Sequence, residues 1–518
     1  MAEAEKRRMA TRYYLGIDIG TTGCKSVVFD ESGTALSRAY REYPIVCEEP
    51  LQAEQEPFTV LSLLLQTMEE AVSGSGAHRI EGMSLSVQGD ATIPVDRDYR
   101  PLHRAILGMD YRPEEECRRY AALHDAQRLY RITGQPLHAI NMLSKILWLQ
   151  NNRPAIFDRA WKFVTYEEFV LYHLGGEPLL DTTMASRSMG FDLAAGTWSE
   201  EILQTMGLSA SRLSEVCRSG AEAGTLSAAL SERLGLENRP RLFAGGHDQP
   251  IGAVGAGVVY DGMALDSTGT AEVLSVTYRG PRISRQMQES FYSTYYHAVP
   301  SLYFSFAHMQ VGGILQRWYR DNLGTQEVQE AAALGVDFYS HALSKCTDAP
   351  SSVLVLPHFN GSGTPLCDMR SLGAFTGLTL STTRHDILKG ILDSLCFELR
   401  TNVDALRRAG IQIDSLRAVG GGARSPLWLQ TKADVLGIPV QTIQCKEAGC
   451  LGAAILAATG SGAYASVLEA CEAMTHTEAV YLPRADSAAR YHAQYDVYRS
   501  LYDALKPVSH AIFELRGK

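Results

Sequence analysis

The chain carries one local pattern twice: an apolar run closed by a tight glycine-threonine turn. The first copy is Tyr13-Tyr-Leu-Gly-Ile-Asp-Ile19, then Gly20-Thr-Thr-Gly23, then the returning run Lys25-Ser-Val-Val-Phe29. The second is Gly262-Met-Ala-Leu-Asp266 leading into Ser267-Thr-Gly-Thr270. A strand, a Gly/Thr tip and a returning strand form a β-hairpin. Its tip offers backbone N–H groups and hydroxyls, a combination suited to phosphate. Copies this far apart call for two related α/β units. The 518 residues give each about 250, a normal size for one core. The boundary is expected near 258–261, giving domains 1–258 and 259–518, with the last helices able to pack back on the first.

Between the turns lies Gly245-Gly246-His247-Asp248-Gln249. Two glycines let the backbone approach closely, so Asp248 can project into a cleft. A carboxylate there can accept a hydroxyl proton during phosphoryl transfer. Pro250 leaves open a second role, that of a helix cap. Asp18 closes the first strand beside Thr21 and Thr22, and an Asp beside a polyphosphate normally holds Mg²⁺. Gly20-Thr-Thr-Gly-Cys-Lys-Ser26 is not a P-loop, because Cys24 separates Gly23 from Lys25. His247 has no second ligand at helical spacing and reads as structural. Gly420-Gly-Gly-Ala423, after an apolar strand, permits close approach to an adenosine. Gly252-Ala-Val-Gly-Ala-Gly257 has the wrong spacing for a dinucleotide fingerprint and reads as close helix packing. Trp148, Trp318 and Trp428 fall at core positions of expected helices. Further helices are expected over 142–151, 386–408, 425–436 and 450–459, and a strand over 79–87. Two phosphate turns flanking a carboxylate imply a nucleotide-dependent phosphoryl transferase.

Charge and cysteines narrow the class. A net charge of −10 argues against nucleic acid as the main partner. The basic run Glu5-Lys-Arg-Arg8 is too short to change that. No apolar run reaches 18 residues, so no membrane span is expected. The N-terminus lacks a signal-peptide pattern. The ten cysteines are dispersed without a C-x-x-C pair, as in a reducing compartment. A cytoplasmic enzyme is the expectation.

In this order, from Tyr14 to about Thr459, the segments resemble the FGGY family of carbohydrate kinases. Val419-Gly-Gly-Gly-Ala-Arg-Ser-Pro-Leu-Trp-Leu-Gln-Thr-Lys-Ala-Asp-Val-Leu-Gly-Ile-Pro-Val440 is the most specific part. Gly373-Ala-Phe-Thr-Gly-Leu378 with Asp386-Ile-Leu-Lys-Gly-Ile-Leu-Asp393 is similar to the family's C-terminal signature, with Gly390 in place of Ala or Ser. Lys145 and Trp148 match its N-terminal signature.

The resemblance implies an α/β fold of two ribonuclease H-like (actin-like ATPase) domains with a catalytic cleft between them. It implies ATP and Mg²⁺ as cofactors and a small sugar as acceptor, with a homodimer as one possible assembly. Asp18 and Asp248 would serve the metal, and Asp248 would be the catalytic base. Thr21, Thr22 and Thr270 would line the phosphates. Gly312 and Gln316 match the nucleotide-side helix, and Gly421, Gly422 and Ser425 would meet the adenosine. Gln88, Gly89, Asp90 and Gln249 fall where the family contacts its sugar. Gly89-Asp90 stands where xylulose kinases usually have Met-His, and Gly363 where many members have Arg. The sugar therefore stays open between a ketopentose such as xylulose, another ketose and a short erythritol- or glycerol-like polyol. A non-sugar ATPase of the same superfamily is the other class, against which Asp248-Gln249 argues.

Overall fold

The computed structural model describes residues 11–516; the basic run at 5–8 lies outside them. The first half is built on seven strands: β1 (Tyr13–Ile19), β2 (Gly23–Asp30), β3 (Ala35–Glu42), β4 (Gly82–Val87), β5 (Glu222–Thr225), β6 (Arg241–Phe243) and β7 (Gly246–His247). Their order is β5-β6-β4-β1-β2-β3, with β7 also paired to β4. The second half uses β8 (Met263–Thr268), β9 (Glu272–Arg279), β10 (Tyr295–Tyr296), β11 (Leu302–Met309), β12 (Ser415–Gly420), β13 (Val440–Ile443) and β14 (Thr477–Tyr481). Their order is β10-β11-β9-β8-β12-β13-β14.

The duplication seen at the two turns extends to the sheets. In the first, β3, β2 and β1 run antiparallel in turn, and β4 and β6 follow parallel to β1. In the second, β11, β9 and β8 run antiparallel in turn, and β12 and β13 follow parallel to β8. Central strands covered on both faces read as continuous apolar runs. Accordingly Tyr14, Leu15 and Ile17 of β1, and Ala264 of β8, have no exposed surface.

Helices complete the frame: α1 (Met142–Asn152), α2 (Asp248–Gly255), α3 (Gly313–Asn322), α4 (Arg384–Arg408), α5 (Pro426–Leu436), α6 (Ala448–Gly460), α7 (Ala485–Tyr498) and α8 (Leu501–Arg516). A capping box of Thr383 and Asp386 starts α4. The Ser425 hydroxyl and Pro426 start α5. Small, apolar α6 leaves its own half and lies on β1 and β4 of the first sheet. It crosses α2 with backbones in contact: a Cβ on Gly452 would stand 1.9 Å from Ile251 O, and one on Gly255 would stand 1.9 Å from Ala448 O. Tyr491, Tyr495 and Tyr498 of α7 pack in a cluster with Phe397 of α4 and Trp428 of α5. Residues Tyr502 and His510 of α8 hold Asp368.

Two readings are corrected. Ser267 and Thr268 belong to β8, not to the second turn, which is narrowed to Gly269–Ala271. Thr268 Oγ1 is held inside by Lys432 at 2.9 Å, and that keeps the strand going. Gly255 serves helix packing as expected, but a Cβ on Gly252 would meet nothing within 4 Å. Among the described residues no helix is long and apolar enough to cross a membrane. The ten cysteines are free thiols.

Candidate active site

Strand register assembles one edge of the site. Asp18, Ser86 and Gly246 share a row across β1, β4 and β7, and Ile19, Val87 and His247 share the next. One residue further, Gly20, Gln88 and Asp248 leave the sheet together. Ligands of parallel sheets gather at this carboxyl edge. Gly245 makes the convergence possible, because a Cβ there would stand 1.7 Å from Leu85 O.

Asp248 is the first residue of α2, with His247 as its cap position. Its side chain is 34% exposed, and Oδ1 lies 3.2 Å from His247 Nε2. Burial and then the Asp18 charge push its carboxyl up to about 7, with Arg187 opposing. Burial, aided by Arg187, holds the His247 imidazole well below its usual range, so it is neutral. Asp18 accepts a 2.6 Å hydrogen bond from Ser86. Burial pushes the Asp18 carboxyl above its usual range too. The start of α6 abuts it: a Cβ on Gly449 would stand 2.8 Å from Asp18 Oδ1. Lys25 pairs with Glu447. Among the described residues no three His, Cys, Asp or Glu side chains cluster to cage a metal. Asp18 and Asp248, two mutually unfavourable carboxylates, instead fit Mg²⁺, which keeps several waters and takes one or two protein oxygens.

The second turn faces a cavity of about 790 Å³, within the size range of small-molecule sites. Thr270, Gln316, Gly421, Gly422 and Ser425 line it. So do Arg317, Tyr339, Arg424 and Trp428, which sequence reasoning did not place there. Gln316 Nε2 and Trp428 Nε1 are buried donors with no partner among the described residues. Gly312 stands just behind the wall, its N–H donating to Thr270 O at 2.9 Å, so α3 is tied to the turn. The cavity does not reach Thr21 and Thr22, whose hairpin belongs to the opposite half.

Behind this turn Lys432 donates to Glu272 at 2.7 Å and pairs with Asp266, all three fully buried. Gly422 is pressed on the same layer: a Cβ there would stand 2.7 Å from Thr268 Cβ. Gly422→Val must therefore push Thr268 and the cavity floor apart. Overpacking of this kind costs about 1–3 kcal/mol. Calorimetric titration is expected to show ATP binding weakened roughly tenfold, with sugar binding changed much less. Equal losses for both ligands would mark misfolding instead.

Among the residues expected to contact the sugar, Gln88 Nε2 donates to Gln55 Oε1 at 3.1 Å, and Gln55 Nε2 donates to Thr21 O at 2.5 Å. Gln55 thus links Gln88 to the first turn. A Cβ on Gly89 would stand 2.5 Å from the His247 ring, so a larger residue there would have to displace that buried ring. Asp90 has a left-handed φ of 66° and is ion-paired with Arg187. Gln249 Oε1 accepts from Ser275 at 3.4 Å.

Family models for the FGGY carbohydrate kinases match both halves, the N-terminal domain over residues 13–255 and the C-terminal domain over 264–461. The chain belongs to the FGGY family of carbohydrate kinases. It is 26% identical to the xylulose kinase of Bacillus subtilis (strain 168) over 507 residues, 98% of this chain and 99% of that one. It is 27% identical to the gluconokinase of the same organism over 496 residues, 95% and 96% of the two chains. A ligand-bound xylulose kinase from Lactobacillus acidophilus superposes with a TM-score of 0.87 at 23% identity, covering 96% of this chain and 98% of that one. The fold is thus that of two actin-like ATPase domains, and the protein is a sugar kinase.

In this FGGY chain two unforeseen groups contact the expected sugar residues, Arg187 on Asp90 and Gln55 on Gln88. Arg187 lies in Ser186-Arg-Ser-Met-Gly190, which carries no motif. Gln55 belongs to a two-residue strand. Gly363 also has a physical reason, since a Cβ there would stand 1.8 Å from His308 O and excludes Arg.

Proposed function

We propose that this kinase transfers the γ-phosphoryl group of ATP to a hydroxyl of a ketopentose such as xylulose. The observation carrying the reading is Asp248, which leaves the sheet edge beside Gln88 and two residues beyond the row holding Asp18. The acceptor oxygen attacks the γ-phosphorus, the bond to the β,γ-bridging oxygen breaks, and Asp248 takes the hydroxyl proton. Thr270, Gln316, Gly421, Gly422 and Ser425 hold the nucleotide, with Gly312 behind them. Thr21 and Thr22 meet the phosphates from the first half when the halves close. Gln88, Gly89, Asp90 and Gln249 bind the sugar. Mg²⁺, held by Asp18 with Asp248, would offset charge on the phosphates. We place the domain boundary at 258/259, supported by family matches that end at 255 and resume at 264.

The xylulose kinase relatives support a ketopentose. The Gly89-Asp90 pair favours a second reading, a short polyol, because it replaces the usual Met-His. An ADP-release screen over ketoses, polyols and sugar acids, with ATP and Mg²⁺, separates the two. The expected result is the highest kcat/KM for xylulose. A polyol turned over faster at equal concentration would replace the ketopentose, and EDTA should stop release in either case.

A further inference from the structure

We infer that the Asp90–Arg187 pair sets the substrate class: it selects an uncharged polyhydroxy acceptor and rejects a sugar acid. This rests on the reading of Gln88-Gly89-Asp90 as the sugar side. The pair is almost fully inside, with Asp90 2% and Arg187 5% exposed. Arg187 Nε donates to Asp90 Oδ2 at 3.1 Å, and Nη2 bonds the same oxygen. Its guanidinium lies 5.4 Å over the Tyr295 ring and 5.2 Å over the Phe306 ring. Asn141 Nδ2 holds the Arg187 carbonyl at 3.0 Å. The cation is thus fixed and already engaged.

Asp90 Oδ1 is the opposite case. It is buried and has no hydrogen-bond partner among the described residues. A buried carboxylate oxygen left without a donor is costly, and a substrate hydroxyl is a donor. The other nearby cation, Lys145, is fully buried and gives its ammonium to the carbonyls of Asp90 and Ile140. Asp90 and Arg187 both act electrostatically on Asp248, so all these groups share one neighbourhood. A ligand arriving there meets free acceptors in Asp90 Oδ1 and Asp248, and cations that are already spoken for. A hydroxyl suits that setting. A carboxylate would bring a like charge beside Asp90 and Asp248, which is unfavourable.

The test compares D-xylulose, erythritol and D-gluconate by ADP release with the full chain, ATP and Mg²⁺. The better neutral acceptor is expected to exceed gluconate in kcat/KM by about 10²-fold or more. Gluconate within tenfold of the best neutral acceptor overturns the inference while leaving sugar-kinase activity intact. No turnover of any acceptor overturns the sugar reading and this inference with it. Asp90→Asn keeps the shape and frees Arg187, so the neutral-to-acid ratio should fall at least tenfold. Arg187→Lys should restore part of that ratio relative to Arg187→Met. A merely structural role would depress both acceptors equally, and an unchanged ratio in Asp90→Asn overturns the assignment. The wild-type ratio decides even if a variant fails to fold.

Discussion

Asp248→Asn is expected to lower turnover by roughly 10²–10⁴-fold, the usual contribution of a positioned general base. The substitution keeps size and hydrogen-bonding reach but cannot accept the acceptor's proton. Its place at the first residue of α2 is fixed by β7 and by Gly245 against Leu85. The backbone should therefore hold, and the neutral His247 ring stays beside the new side chain. Sugar affinity should change by less than tenfold. Steady-state ADP release at saturating sugar and ATP, with calorimetry for sugar binding, makes the comparison. Near-normal turnover at saturation would remove Asp248 from the base role.

Gly452→Val should produce the largest loss of stability. Its Cβ would meet Ile251 O at 1.9 Å, and the obstacle is helix backbone rather than a side chain that can swing away. Moving α6 outward does not relieve the clash, because α6 is pinned on its other face. There a Cβ on Gly16 of β1 would stand only 1.8 Å from Cys450 O. Separating these elements opens the layer that joins the two halves. The cost should exceed about 4 kcal/mol, among the largest single-residue effects. Total stabilities run about 5–15 kcal/mol, so little soluble folded protein is expected. Gly252→Ala, in open space on α2, is the control and should melt within a few degrees of wild type. Equal melting of Gly452→Val and wild type would show that the helices can part freely.

What the sequence revealed was local. The hairpins were legible because an apolar run and its Gly/Thr tip lie within a few residues. So was α5, expected over 425–436. Gly255 hinted at close packing, but not at which backbone it meets. That depends on α6 crossing to the other half. Thr268 was misassigned to the turn because Lys432, which holds it, is 164 residues away. Arg187 was missed for the same reason, since its partner Asp90 lies 97 residues earlier. The neutrality of His247 is likewise a product of burial, which no spacing rule expresses.

The matched order and sense of the two sheets carry a consequence of their own. Asp18 and Asp266 each lie near the end of the first strand of the repeated motif, just before its turn. A molecule that treated them alike would present two equivalent acidic stations facing each other across the middle. Lys432 prevents this by binding Asp266 inside the second half. Asp18 receives only the Ser86 hydroxyl among the described residues. One lysine therefore breaks the twofold resemblance, leaving Asp18 without the buried ammonium partner that Asp266 has.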